Sequence, residues 1–176
     1  AGSTTPTDAP VIASTATTLP STGEPGISRG FSYDPLGEDL AEHEDLVPNA
    51  LDGSEGTSWQ TVCYANEYMG SKSKVGVGLV LELTAATAGE LELTFGALPW
   101  AIEVYGADDL PESFAGWGAA LDDRFSTEKL NATLSLGGTP HKYVLVLLKQ
   151  LAKDPGCGPS NPYLGRISEI SLVPAG

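Results

Sequence analysis

The sequence predicts an all-β fold, a sandwich or barrel that is mostly antiparallel and has little helix. Short runs with alternating apolar and polar residues recur after residue 26, and clusters of turn-forming residues separate them. Apolar residues at helical spacing are sparse throughout, which argues against a helical core.

The strand runs follow in order. In "VGVGLVLEL", Val75, Val77, Leu79, Leu81 and Leu83 fall on one side. "ELELTF" puts Leu91, Leu93 and Phe95 on one face and Glu90, Glu92 and Thr94 on the other. "AIEVYG" offers Ile102 and Val104, and "LNATLSL" offers Leu130, Ala132, Leu134 and Leu136. "KYVLVLL" is continuously apolar, as a central strand buried on both faces would be, and "RISEISLV" closes the chain. "ATAGE", "LGGTP" and "DPGCGPSNP" mark turns between them. Single helical turns are expected near Asp39–Glu44 and Ala119–Phe125.

Residues 1–26 form a different compositional region, rich in Thr, Ser, Pro, Gly and Ala and without an aromatic residue. Such a segment cannot bury enough surface to offset chain entropy, and reads as a disordered stalk ahead of a single domain over 27–176. The expected result is early cleavage here by a nonspecific protease, leaving a core that starts between Gly26 and Phe31. Protection of the segment would reject that reading. "LPSTG" at Leu19–Gly23 matches the sortase pentapeptide, but no hydrophobic span and basic tail follow it directly, so the match is read as accidental.

The formal charge is −14, from 23 acids against 9 bases. That balance excludes nucleic acid and disfavours anionic membrane as partners, since both need a basic footprint. Eight acids lie between Asp34 and Glu55 (Asp34, Glu38, Asp39, Glu42, Glu44, Asp45, Asp52, Glu55) with no Lys or Arg among them. All but Asp52 read as a solvated face, with Glu42 an ordinary member of it. No apolar run approaches the roughly 18 residues that would span a bilayer, and no signal peptide is recognisable.

No catalytic pattern stands out. His43 and His141 lie in unrelated settings, and there is no HExxH helix, GxSxG elbow or phosphate loop. The chain therefore reads as a binding protein and not an enzyme. Cys63 and Cys157 form no CxxC pair, which excludes a zinc ribbon. In an oxidising compartment the two would form one disulfide; the alternative is two separate buried thiols.

The turn "NALDGSEGTSW" gathers hard oxygen donors: the Asp52 carboxylate, the Thr57 hydroxyl and carbonyls that include those of Asn49 and Glu55. Calcium favours such ligands, though an Asx-turn explains the same residues. Trp100 and Trp117, at a strand start and in a long loop, are candidates for stacking on a sugar ring, with core caps as the alternative.

"ALDGSEGTSWQT", "GVGLVLEL", "AIEVYGADD", "KYVLVLLKQL" and "RISEISLV", in this order, resemble the discoidin or coagulation-factor type C domain. The match runs through Ala50, Asp52, Gly53, Thr57, Trp59, Leu81, Leu83, Ile102, Val104, Tyr143, Ile167, Glu169 and Ile170. It implies a galactose-binding-like jelly-roll sandwich. It also places Glu169 on the closing strand, where an inward acid would complete a structural calcium site with Asn49, Asp52, Glu55 and Thr57. More narrowly, "FSYDPLGEDLAEHEDLVPNALDG" and "KVGVGLVLEL" resemble the extracytoplasmic C-terminal domains of actinobacterial MviN-type murein-precursor flippases and Ser/Thr kinases.

The expectation is a monomeric, extracytoplasmic, non-catalytic module tethered to a membrane protein of the bacterial cell envelope. It would bind carbohydrate, such as peptidoglycan or its precursor. A protein–protein interaction module without a small-molecule ligand is the alternative.

Overall fold

The computed structural model describes residues 25–36, 42–69 and 75–176. The expected stalk, apart from Pro25 and Gly26, lies outside the described residues. Gly26 already belongs to the domain, because its N–H donates to Thr84 Oγ1 at 3.0 Å and its carbonyl accepts the Thr84 N–H at 2.8 Å.

Two antiparallel sheets face each other. One runs, edge to edge, β1 (Ile27–Tyr33), β3 (Val77–Thr87), β8 (His141–Gln150), β5 (Trp100–Ala107) and β6 (Asp122–Ser126). The other runs β2 (Trp59–Gln60), β11 (Arg166–Pro174), β4 (Gly89–Phe95) and β7 (Asn131–Ser135). A short ribbon pairs β9 (Ala152–Lys153) with β10 (Tyr163–Leu164). Among the described residues no helix is long and apolar enough to cross a membrane.

The core between the sheets is built from the alternating residues. Val77, Leu79, Leu81 and Leu83 meet Leu91, Leu93 and Phe95, with Ile102, Val104, Val144, Val146 and Leu148 beside them. β8 is the central strand of its sheet and is buried on both faces, as its unbroken apolar run requires. Its second face, Leu145 and Leu147, packs with Val80, Tyr105 and Trp117. That outer cluster exists because the connection between β5 and β6 lies across the sheet instead of looping into solvent.

Several expectations are corrected. Val75 leaves the alternation and packs with the outer cluster. Gly76, at φ +132°, breaks the strand phase there, and a Cβ on it would lie 2.5 Å from the Leu148 carbonyl oxygen. Leu130 precedes β7 and is 40% exposed. Ala119–Phe125 holds no helix: Asp122–Ser126 pairs with β5, and the helical turn is a 3-10 segment at Phe114–Trp117. The other 3-10 segment spans Glu44–Ala50, while 39–41 lie outside the described residues.

The acidic run is not uniformly solvated. Asp34 and Glu42 are buried, at 4% and 2% exposure. Glu42 accepts the Val62 N–H at 2.6 Å and the Tyr64 hydroxyl through its carboxylate. Its carbonyl accepts the Trp59 indole N–H at 2.8 Å, and its own N–H donates to Ser32 Oγ at 3.0 Å. Glu44 accepts the Ser32 N–H at 2.7 Å. Glu42 and Glu44 thus satisfy the backbone donors of Val62 and Ser32 beside the buried Trp59.

Candidate functional site

The turn over Asn49–Thr57 is assembled as a cluster of oxygens. Thr57 Oγ1 lies 2.8 Å from Asp52 Oδ2, 3.0 Å from the Ser54 carbonyl and 3.5 Å from the Asn49 carbonyl. Asp52 Oδ1 accepts the Ser54 N–H at 2.9 Å, the geometry of an Asx-turn.

Glu169 reaches the turn from the closing strand, its carboxylate accepting the Gly53 N–H at 2.8 Å. A register shift between Ile167 and Glu169 lets Ile167 and Ile170, three residues apart, both face the core. The same shift turns Glu169 toward the turn. The Glu55 carboxylate points elsewhere, accepting from Thr94 Oγ1 at 3.0 Å, and the carbonyl that meets the Thr57 hydroxyl is that of Ser54.

Every donor here is a hard oxygen, which fits calcium and not zinc. Among the described residues no three His, Cys, Asp or Glu side chains converge, so neutral oxygens would supply much of the coordination.

Cys63 and Cys157 form a disulfide with a Cα–Cα distance of 5.9 Å across 94 positions of sequence. It sits beside a bridge in which Tyr64 and Tyr163 exchange backbone hydrogen bonds at 2.7 and 3.1 Å. The loop it anchors is also held by Arg166, whose guanidinium donates to Asp154 at 2.8 Å. That contact, helped by the Gly156 N–H and opposed by burial, holds the Asp154 carboxyl below its ordinary range. A depressed folded value contributes stability above about pH 4 that is lost as pH falls through it. Asp154→Asn should therefore flatten the acid limb of denaturation midpoints against pH; an unchanged limb would reject the coupling.

Trp100 and Trp117 are 4% and 3% exposed, so neither presents a ring face to ligand. This corrects the expectation of sugar stacking at both. Trp100 stacks on Phe95 at 4.2 Å in the core and donates to the Lys129 carbonyl at 2.8 Å. Trp117 packs edge-on to Tyr33, centroids 6.4 Å apart.

Tyr33 opens onto a cleft of about 450 Å³, within the roughly 300–1,000 Å³ of small-ligand sites. Leu36, Val75 and Phe114 form its other apolar walls, with Asp34, Glu112 and Ser113 as polar groups. Both aromatic walls are backed by a second ring: Tyr33 by Trp117, and Phe114 by Tyr105 at 5.4 Å. Burial raises the Tyr33 phenol above its ordinary range, opposed in part by the Trp117 indole N–H. Behind the wall, the Tyr33 hydroxyl and Trp117 Nε1 are buried without a well-formed hydrogen bond among the described residues.

Sequence reasoning missed Tyr33 and Phe114. Tyr33 ends β1 two residues before Pro35, and Phe114 opens a 3-10 turn three residues after Pro111; the signal available was an aromatic residue close to a proline. The cleft lies at the end of the sheet where β1 stops, with Tyr33 opposite Gly78 and Gly78 opposite Leu147. The chain enters β1 at the other end, where Ile27 pairs with Leu83.

No protein-family model matches the chain, and no curated protein does. Solved structures do. The chitosan-binding module 1 derived from a chitosanase/glucanase of Paenibacillus sp. IK-5 aligns with 84% of this chain and 96% of its own, at TM-score 0.55 and 14% identity. A CBM32-containing protein produced by Clostridium perfringens aligns with 84% and 95%, at TM-score 0.53 and 14% identity. The CBM32 of AlyQ, in complex with 4,5-unsaturated mannuronic acid, aligns with 82% and 99%, at TM-score 0.52 and 18% identity. The fold is a galactose-binding-like jelly-roll sandwich. At these identities the likeness speaks to the fold alone.

Proposed function

We propose that this domain is a non-catalytic carbohydrate-binding module whose sugar sits in the cleft between Tyr33 and Phe114. The observation that carries the reading is the pair of part-exposed rings, each held by a second ring, beside Asp34, Glu112 and Ser113. A sugar presents apolar C–H faces and a rim of hydroxyls, and a cleft with fixed aromatic walls and a few polar groups matches both.

The similar structures bear names that include both mannuronic acid and chitosan, an acidic and a basic saccharide, which supports sugar binding without choosing the sugar. The disulfide suits an extracytoplasmic location. In a module of a cell-envelope protein such as an MviN-type flippase, a stalk joining at Ile27 would hold the cleft about 20 Å away, the length of β1. Peptidoglycan fragments are then the first ligands to test.

Affinity for a panel of soluble oligosaccharides and peptidoglycan fragments tests the reading. Phe114→Ala should weaken binding about tenfold, the loss of about 1–1.5 kcal/mol of stacking. Sugar binding undisturbed by that change would place the site elsewhere. Leu36, 62% exposed at the cleft edge, favours the alternative of a protein-interaction module, which predicts no saturable sugar binding at all.

The same proposal includes a structural calcium held by Asn49, Asp52, Thr57 and Glu169, with Glu55 or its neighbour Ser54 supplying a carbonyl. Assembled only in the folded state, these ligands would make the melting temperature rise with calcium by mass action. Asp52→Ala and Glu169→Ala should each remove most of that rise, and Glu128→Ala, at an exposed site, should not. A melting curve indifferent to calcium and chelator would leave the Asx-turn alone.

A further inference from the structure

Two walls of the cleft rest on one network of side chains that does not line it. Phe114 meets Tyr105 edge-on, with ring centroids 5.4 Å apart and planes at 77°. The Tyr105 hydroxyl donates to Glu103 Oε2. The same oxygen lies 3.4 Å from Lys149 Nζ, and Lys149 donates to the Val75 carbonyl at 2.6 Å. Phe114 and Val75 line the cleft, whereas Tyr105, Glu103 and Lys149 do not.

The strands bring these groups together. Glu103 and Tyr105 are two residues apart on β5 and so share one face of the sheet. Lys149 falls at a register shift, between Leu148 opposite Ile102 and Gln150 opposite Ala101, and such a shift re-aims a side chain. Tyr105 is 5% exposed, so its hydroxyl needs an acceptor. Burial first, and the Glu103 carboxylate after it, push the phenol above its ordinary range, which keeps the proton there to donate.

We infer that Glu103 is a positioning residue of the cleft, holding Tyr105, and through it the Phe114 ring, in register with the Val75 backbone that Lys149 holds. The inference rests on the sugar reading for its ligand and adds the residue that sets the spacing of two walls. A ring and a backbone segment already held in place lose little freedom when a sugar enters, and freedom not lost on binding appears as affinity.

The test titrates N-acetylglucosamine and glucosamine oligomers into the whole protein and its variants, under conditions where each is fully folded. Glu103→Ala should weaken binding about threefold to tenfold, the cost of immobilising one or two side chains that the native protein holds beforehand. Glu103→Gln, which leaves an oxygen for both donors, should recover most of that loss. Glu103→Ala also orphans the Tyr105 hydroxyl, and Tyr105→Phe added to it removes the orphan while keeping the ring against Phe114. The double variant should therefore regain much of the denaturation midpoint and none of the affinity, a split that a merely structural role would not produce. Without sugar, the NMR signals of the Val75 methyls and the Phe114 ring should move together in Glu103→Ala.

Undiminished binding by Glu103→Ala, affinity that follows the midpoint across the variants, or Val75 and Phe114 signals that do not move together would each overturn the positioning while sugar binding stood. If neither oligomer bound the native protein, the sugar reading would fall, and the joint signals alone would support Glu103 as the residue that holds the walls.

Discussion

Cys63→Ser together with Cys157→Ser should lower the stability of the domain by about 4–5 kcal/mol. The bridge joins positions 94 apart, so its loss returns the freedom of a long loop to the unfolded chain, and in the chain-entropy account the effect grows with loop length. In the folded state the Tyr64–Tyr163 bridge and the Arg166–Asp154 pair remain to hold the same two segments together. The native cleft should therefore survive while the denaturation midpoint falls. A loss below about 1 kcal/mol by chemical denaturation would mean that the unfolded chain keeps these segments close without the bond.

Glu42→Ala should cost about 3 kcal/mol, an outcome that the solvated reading of its acidic run would not produce. Glu42 is 2% exposed, and its carboxylate accepts from the Val62 N–H and the Tyr64 hydroxyl. Alanine takes this acceptor from two part-buried donors and leaves a void where the 2% exposed side chain stood, and losing a buried acceptor's bonds together with its packing costs more than the modest net value of one bond. Glu42→Gln, which keeps the acceptor oxygen and the volume, should lose clearly less. A fall of under about 0.5 kcal/mol for the alanine variant, the range of ordinary surface substitutions, would return Glu42 to the solvent.

The two cases show what was legible in the chain. Alternation of Leu79, Leu81 and Leu83 and of Leu91, Leu93 and Phe95 fixes strand faces locally, since the side-chain period of a strand needs no tertiary knowledge. The unbroken run of β8 likewise announces its place at the centre of the sheet. Glu169 was legible only through a family resemblance, because the register shift that aims it at Gly53 has no signal in "RISEISLV" beyond the odd spacing of its isoleucines.

Glu42 and Trp117 were illegible for another reason. Whether an acid is solvated or buried depends on which donors the fold carries past it, here the Val62 N–H and the Tyr64 hydroxyl, some 20 residues on. Trp117 could have faced ligand or core. The long connection between β5 and β6 folds back over Leu145 and Leu147, and that return places Trp117 behind Tyr33 instead of in front of it.

The central claim is that a saccharide occupies the cleft at the end of the five-stranded sheet. Amide chemical-shift mapping of the isotope-labelled protein with glucosamine and N-acetylglucosamine oligomers tests it most directly. Saturable shifts should gather at Ser32–Leu36, Val75 and Ser113–Ala115, the segments that form the Tyr33 and Phe114 walls. Shifts gathered instead over Thr94, Asn131 and Ser171 on the outer face of the four-stranded sheet, or none from either sugar, would contradict the account.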